Sequence, residues 1–218
     1  MTKRLRQRAA RRARGERGAA LVEFALLTPV FMLLIFGIIE FGFAFRSQLT
    51  VSNAVQQAGR VAATLGNDLD MDYETLASMQ QGLRSLPAGT IKWVTIFNAD
   101  ASGNPATPCS FPGGSSNCNV YRYQKDALLA PPCDWVPCPA EAAGYNYGGS
   151  WDPGDRNVAL DPDPPGLDDV GVRIYYSHKW LTGGLIPVSD ADCTSPTLSD
   201  CWVMEAVFRL EPKVVSAP

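Results

Sequence analysis

Hydrophobic and polar positions divide the chain at Gly18. Residues 1–17 are basic and polar, whereas from Ala19 to Ile39 the only charge is Glu23. At about 1.5 Å per helical residue, that apolar run reaches roughly 30 Å, the depth of a hydrocarbon core, and it continues to Phe45. The pattern predicts a transmembrane helix over 19–45. Pro29 removes the N–H that would bond the carbonyl of Ala25, which predicts a bend rather than an end. From Arg46 the pattern changes to an apolar stripe, Val51, Ala54, Val55, Ala58, Val61, Ala62 and Leu65, at the three-and-four spacing of an amphipathic helix. No breaker separates the segments, so Ala19 to Leu65 reads as one helix of roughly 70 Å. Ala54, Ala58 and Ala62, four apart, offer a close-packing face for the chain's own domain.

Gly66 ends this helix. Asp68 or Asp70 is placed to cap a second one reaching about Leu86, with Leu69, Tyr73, Leu76, Met79 and Leu83 on one side. Strands are predicted at Ile91–Phe97, Val120–Tyr123, Gly171–Trp180 and Trp202–Leu210 from their β-branched and aromatic residues. The expected fold class is therefore α+β: a long N-terminal transmembrane and amphipathic helix packed on a small antiparallel sheet, with an extracytoplasmic domain over 46–218. A loop-rich insertion over about 98–167 is dense in Pro, Gly, Asn and Asp and needs covalent support.

Six cysteines, all beyond the apolar run, supply candidates for that support in three close pairs: Cys109 with Cys118, Cys133 with Cys138, and Cys193 with Cys201. Neighbour pairing is the expectation among several connectivities. Zinc is disfavoured by irregular spacing and a lone histidine, His178. Charge then sets the topology. Eight Lys and Arg residues precede the apolar run against Glu16 alone, which places the N-terminus in the cytoplasm and the domain outside it. Without residues 1–18, the 19 basic and 22 acidic side chains fall to 11 and 21, a formal charge of −10. An acidic domain argues against nucleic acid as a partner.

A basic leader, Gly18, Ala19, then Glu23 and Phe24 at the head of a long apolar helix resemble a type IV pilin signal. GAALVEFALLTPVFMLLIFGIIEFG followed by NAVQQAGRVAA resembles the TadE-like family more closely still, minor pseudopilins of the tight-adherence (Flp) pilus system. The resemblance implies cleavage by a prepilin peptidase after Gly18, with residues 1–18 as a leader and Ala19 as the mature N-terminus. It further implies a bacterial inner-membrane location, incorporation by a pilus assembly platform alongside other pilins, and pairing of Glu23 with the Ala19 amine of a neighbouring subunit to set axial register.

Other chemistry is thinly supported. Asp152, Asp155, Asp161, Asp163, Asp168 and Asp169 are dense enough to hold calcium, as some secretion pseudopilins do, but their spacing does not match an EF-hand and interspersed prolines favour a turn cluster. His178 has no nucleophile or carboxylate paired with it in sequence, and phosphate-binding glycine loops are absent. The expectation is no enzyme, no cofactor and no resident metal. Glu40, at the outer end of the apolar run, is expected at the membrane interface. Trp135, Tyr145, Tyr147 and Trp151 are expected to be exposed contacts for another pilus component. Two functions remain: a cleaved minor pseudopilin, or an uncleaved bitopic protein whose disulfide-bonded domain binds a partner.

Overall fold

The computed structural model describes residues 2–87, 89–111, 113–123, 135–137, 148–159, 166–181, 193 and 198–213, with side chains from Gly18 onward. One helix, α1 (Thr2–Leu65), runs through the leader, the apolar segment and the amphipathic segment, and it continues past Pro29. Gly66, at φ +62°, terminates it by donating its N–H to Ala62 O at 3.0 Å. That left-handed conformation is one that glycine adopts without Cβ strain.

The second helix, α2 (Met71–Leu83), is shorter than the predicted element. Asp70 occupies its N-cap position but makes no side-chain cap bond. The buried stripe is Met71, Asp72, Thr75, Leu76, Met79 and Leu83, whereas Leu69 is exposed and Tyr73 only half-buried. The actual face is turned because α2 begins after Leu69, so that residue lies in the preceding turn.

Among the described residues, five antiparallel strands follow: β1 (Ile91–Asn98), β2 (Cys118–Tyr123), β3 (Trp135–Val136), β4 (Asp169–Tyr176) and β5 (Trp202–Arg209). Their order is β3-β2-β1-β4-β5. The two-residue edge strand β3 is an addition to the four predicted from sequence, and it lacked the length to stand out as an alternating run. The fold is α+β, with the long helix packed on an antiparallel sheet.

Period-two alternation gives the sheet two different faces. Val170, Val172, Ile174 and Tyr176 of β4 pair with Phe208, Ala206, Met204 and Trp202 of β5, and these eight turn toward the main core with α1 and α2. On the opposite face, Phe97, Ala99, Cys118 and Val120 form a second cluster covered in part by Trp93, Cys109 and Phe111. The register shift between Ile91 and Trp93 lets Ile91 join the main core while Trp93 joins the second.

The helix pair is held by the absence of side-chain bulk. Ala54, Ala58 and Ala62 are buried. A Cβ on Gly82 would sit 3.0 Å from the Cβ of Ala54, and one on Gly59 would sit 2.5 Å from the Phe208 ring. Small residues therefore bring α1 against both α2 and β5.

Candidate functional site: the exposed N-terminal helix

The domain covers α1 only from about Glu40 onward. Below that level the helix is apolar on all sides and open: Leu21, Phe24, Leu26 and Ile38 are each roughly 70% exposed. An 18-residue window within it has a mean hydropathy of 2.4 and is 0% buried, so the helix is long and apolar enough to cross a membrane. A helix that is apolar all round requires an apolar environment, supplied by lipid or by other helices.

Gly18, Ala19, Glu23 and Phe24 lie on this open portion and all are exposed. Ala19 and Glu23 are one turn apart on the same helical face. Glu23 forms no ion pair among the described residues. Thr28 Oγ1 donates to Phe24 O at 2.6 Å, which keeps one hydroxyl satisfied inside the apolar run.

Where the domain first meets α1, at the outer end of the apolar run, Glu40 is 2% exposed and Ala44 is also buried, both covered by protein. The physical reason is an aromatic group that brings the domain down to this level. His178 stacks on Trp202 with centroids 4.6 Å apart, Trp180 meets His178 edge-on at 4.7 Å, and Phe41 meets Trp180 edge-on at 5.6 Å. His178 is thus part of the joint between helix and sheet.

The interior holds a polar node that the sequence reading missed. Asp72 of α2 accepts from Arg156 Nη2 at 2.8 Å, from Tyr121 Oη at 2.6 Å and from Asn119 Nδ2 at 2.8 Å. Arg156 also donates to Trp151 O and to Met71 Sδ, and its guanidinium lies 4.0 Å from the Trp151 ring centre. Asn119 clasps the backbone of Trp151, donating to its carbonyl and accepting from its N–H. Burial, reinforced by the charge of Asp72 and its hydrogen bond, holds the Tyr121 phenol well above its ordinary pKa, so it stays a donor. The one advance signal was Asp72 itself, a carboxylate in phase with the buried stripe Met71, Thr75, Leu76 and Met79.

The node binds α2, β2 and the segment 151–156 into one unit; Arg156 Nη1 and Nη2, Tyr121 Oη and Asn119 Nδ2 all donate within it, whereas Arg156 Nε is buried without a hydrogen-bond partner among the described residues. Trp135 and Trp151 are buried at 2% and 5% exposure, which overturns their expected role as exposed contacts. Trp135 Nε1 donates to Gln80 Oε1, and Trp151 is the shelf under Arg156. Tyr145 and Tyr147 lie outside the described residues.

The aspartates are dispersed among structural tasks. Asp152 caps the 3₁₀ turn Pro153–Asp155 by accepting from Gly154 N, Asp168 accepts from Asn157 N and Asn98 Nδ2, and Asp169 pairs with Arg209 at 2.9 Å. No group of three or more metal-ligating His, Cys, Asp or Glu occurs among the described residues. Asp161 and Asp163 lie outside them. Disulfides join Cys109 to Cys118 and Cys193 to Cys201. Cys133 and Cys138 lie outside the described residues.

Residues 18–60 match the family model of TadE-like proteins. The match covers the open helix and most of the amphipathic segment, and stops before α2 and the sheet. No curated protein and no solved structure matches the chain.

Proposed function

We propose, from the premise that residues 18–60 form a TadE-like segment, that this chain serves the Tad/Flp pilus system as a minor pseudopilin. The observation that carries this reading is the bare apolar helix below Glu40, joined without a break to an amphipathic half that its own domain buries. A simple membrane tether would need neither rigidity nor continuity with the domain's core. A subunit that is lifted out of lipid into a helical bundle needs both, because force applied to the domain must reach the apolar end.

In this reading residues 1–18 are a leader held in the cytoplasm, 19–45 span the inner membrane, and 46–218 form the extracytoplasmic domain. A prepilin peptidase cuts between Gly18 and Ala19. That bond lies inside α1, and a peptidase that takes extended substrate must unwind a turn to reach it; glycine lowers the cost, being about 1 kcal/mol less favourable than alanine in a helix. The freed Ala19 amine then meets the Glu23 carboxylate of a neighbouring subunit, neutralising a charge carried within the apolar run. In this scheme the domain's work is structural.

Intact-mass measurement of the protein made in its host tests the proposal. A chain beginning at Ala19 is expected. A chain retaining residues 1–18 in assembled material would instead favour the uncleaved bitopic protein.

A further inference from the structure

A cleft of about 630 Å³ opens between α1 and the lower edge of the domain, just above the apolar helix. Its lining brings together three cations from distant parts of the chain: Arg46 on α1, Lys92 at the β1 irregularity and Lys179 after β4. None of the three forms an ion pair with a described carboxylate. In a chain that carries a formal −10 beyond residue 18, this convergence of positive charge stands against the general balance. Apolar side chains flank it, with Phe43 50% and Leu181 71% exposed.

Position identifies the ligand. With Ala19 to Ile39 filling the hydrocarbon, Arg46 stands roughly 10 Å beyond its edge, in the headgroup layer. Exposed Phe43 and Leu181 line the same cleft, an arrangement in which apolar side chains enter the acyl boundary while cations reach for phosphate. We infer that the cleft formed by Arg46, Lys92 and Lys179 binds the phosphodiester headgroup of an anionic phospholipid in the outer leaflet. The inference rests on the reading that α1 spans the membrane. Headgroup binding here holds the domain upright on the bilayer before extraction, and release of the lipid accompanies departure of the subunit.

Native mass spectrometry of the full-length chain in detergent, titrated with phosphatidylglycerol or phosphatidylcholine, tests the inference. The wild type is expected to bind phosphatidylglycerol about a hundredfold more tightly than phosphatidylcholine, and each cation removed should weaken that preference about fivefold. The triple variant Arg46→Gln/Lys92→Gln/Lys179→Gln should abolish it, and Arg60→Gln, a cation on α1 outside the cleft, should not. Equal binding of the two lipids by wild type, or a preference retained by the triple variant, overturns the proposal. If the triple variant melts abnormally, the single variants decide by the same criterion. Displacement of phosphatidylglycerol by millimolar inorganic phosphate would also overturn it, because a soluble phosphate would then suffice. Carbonate extraction of reconstituted vesicles separately tests the spanning reading: release of the chain defeats that reading, whereas retention with no lipid preference defeats only the headgroup site.

Discussion

At the scale of single residues, the Asp72 node is the place most sensitive to a single polar substitution, because Asp72 and Arg156 form an ion pair with both side chains 0% exposed. Removing one partner of such a pair leaves a buried charge without compensation, which costs about 3–5 kcal/mol. Asp72→Ala should therefore destabilise the full chain in detergent by that amount in a denaturant titration followed by tryptophan fluorescence. Tyr121→Phe removes one hydrogen bond to a charged acceptor and should cost about 2 kcal/mol. Alkaline pH reaches the same groups. Burial lifts the Tyr176 phenol to about 12, and Tyr121 is raised as well, so the folded chain keeps protons that the unfolded chain releases above about pH 10. Stability contributed by these tyrosines is complete below that pH and falls as pH rises, with a limiting slope of about 1.4 kcal/mol per pH unit for a fully titrating group. Denaturant midpoints between pH 8 and 11 should show the decline, and Tyr121→Phe should flatten it.

At the scale of elements, two contacts decide how helix and sheet are joined. Gly59 lets α1 lie against Phe208, and Gly59→Ala should force the helix and β5 apart at a cost of about 1–3 kcal/mol, seen as a lower melting temperature. The loop from Ala99 to Asn117 is a second joint, crossing the outer sheet face and fastened by Cys109–Cys118. Closing so short a loop stabilises by about 2.5 kcal/mol through the unfolded state. Replacing both cysteines by serine should lower the denaturation midpoint accordingly and loosen the packing of Phe111 between Trp93 and Tyr175, which a near-ultraviolet dichroism spectrum would register. On this same face Arg173 lies directly opposite Glu205 and Arg209 opposite Asp169, ion-paired across the strands and interspersed with exposed Val203 and Val207.

At the scale of the whole molecule, α1 is both the apolar end and the beam on which the domain is built. Gly18→Leu should block removal of residues 1–18, whereas Glu23→Gln should spare trimming and impair fibre assembly; anti-pilus immunoblots of sheared and membrane fractions would separate the two outcomes. Undisturbed assembly in Glu23→Gln would remove the register role proposed for that carboxylate. Deletion of Asn104–Pro165 is not a clean probe of adhesion. It would take away β2, β3, Trp151 and Arg156, hence the node and one side of the sheet, so loss of piliation would follow from unfolding.

Local pattern determined the helices and the principal strands, because amphipathic spacing and β-branched runs are properties of consecutive residues: the end of α1 at Leu65, the cores of β1, β4 and β5, and the apolar segment with its lone Glu23 were all legible. The TadE-like segment was legible for the same reason, being contiguous. Tertiary structure alone decided which residues outside those runs serve the interior. Asp72 and Arg156 stand 84 positions apart, so neither announces the other. Trp135 and Trp151 looked like surface aromatics in a proline-rich loop, yet burying them covers the sheet and offsets the ordering of that loop. The cationic cleft arises the same way, from Arg46, Lys92 and Lys179, which become neighbours only when the sheet is laid along the helix.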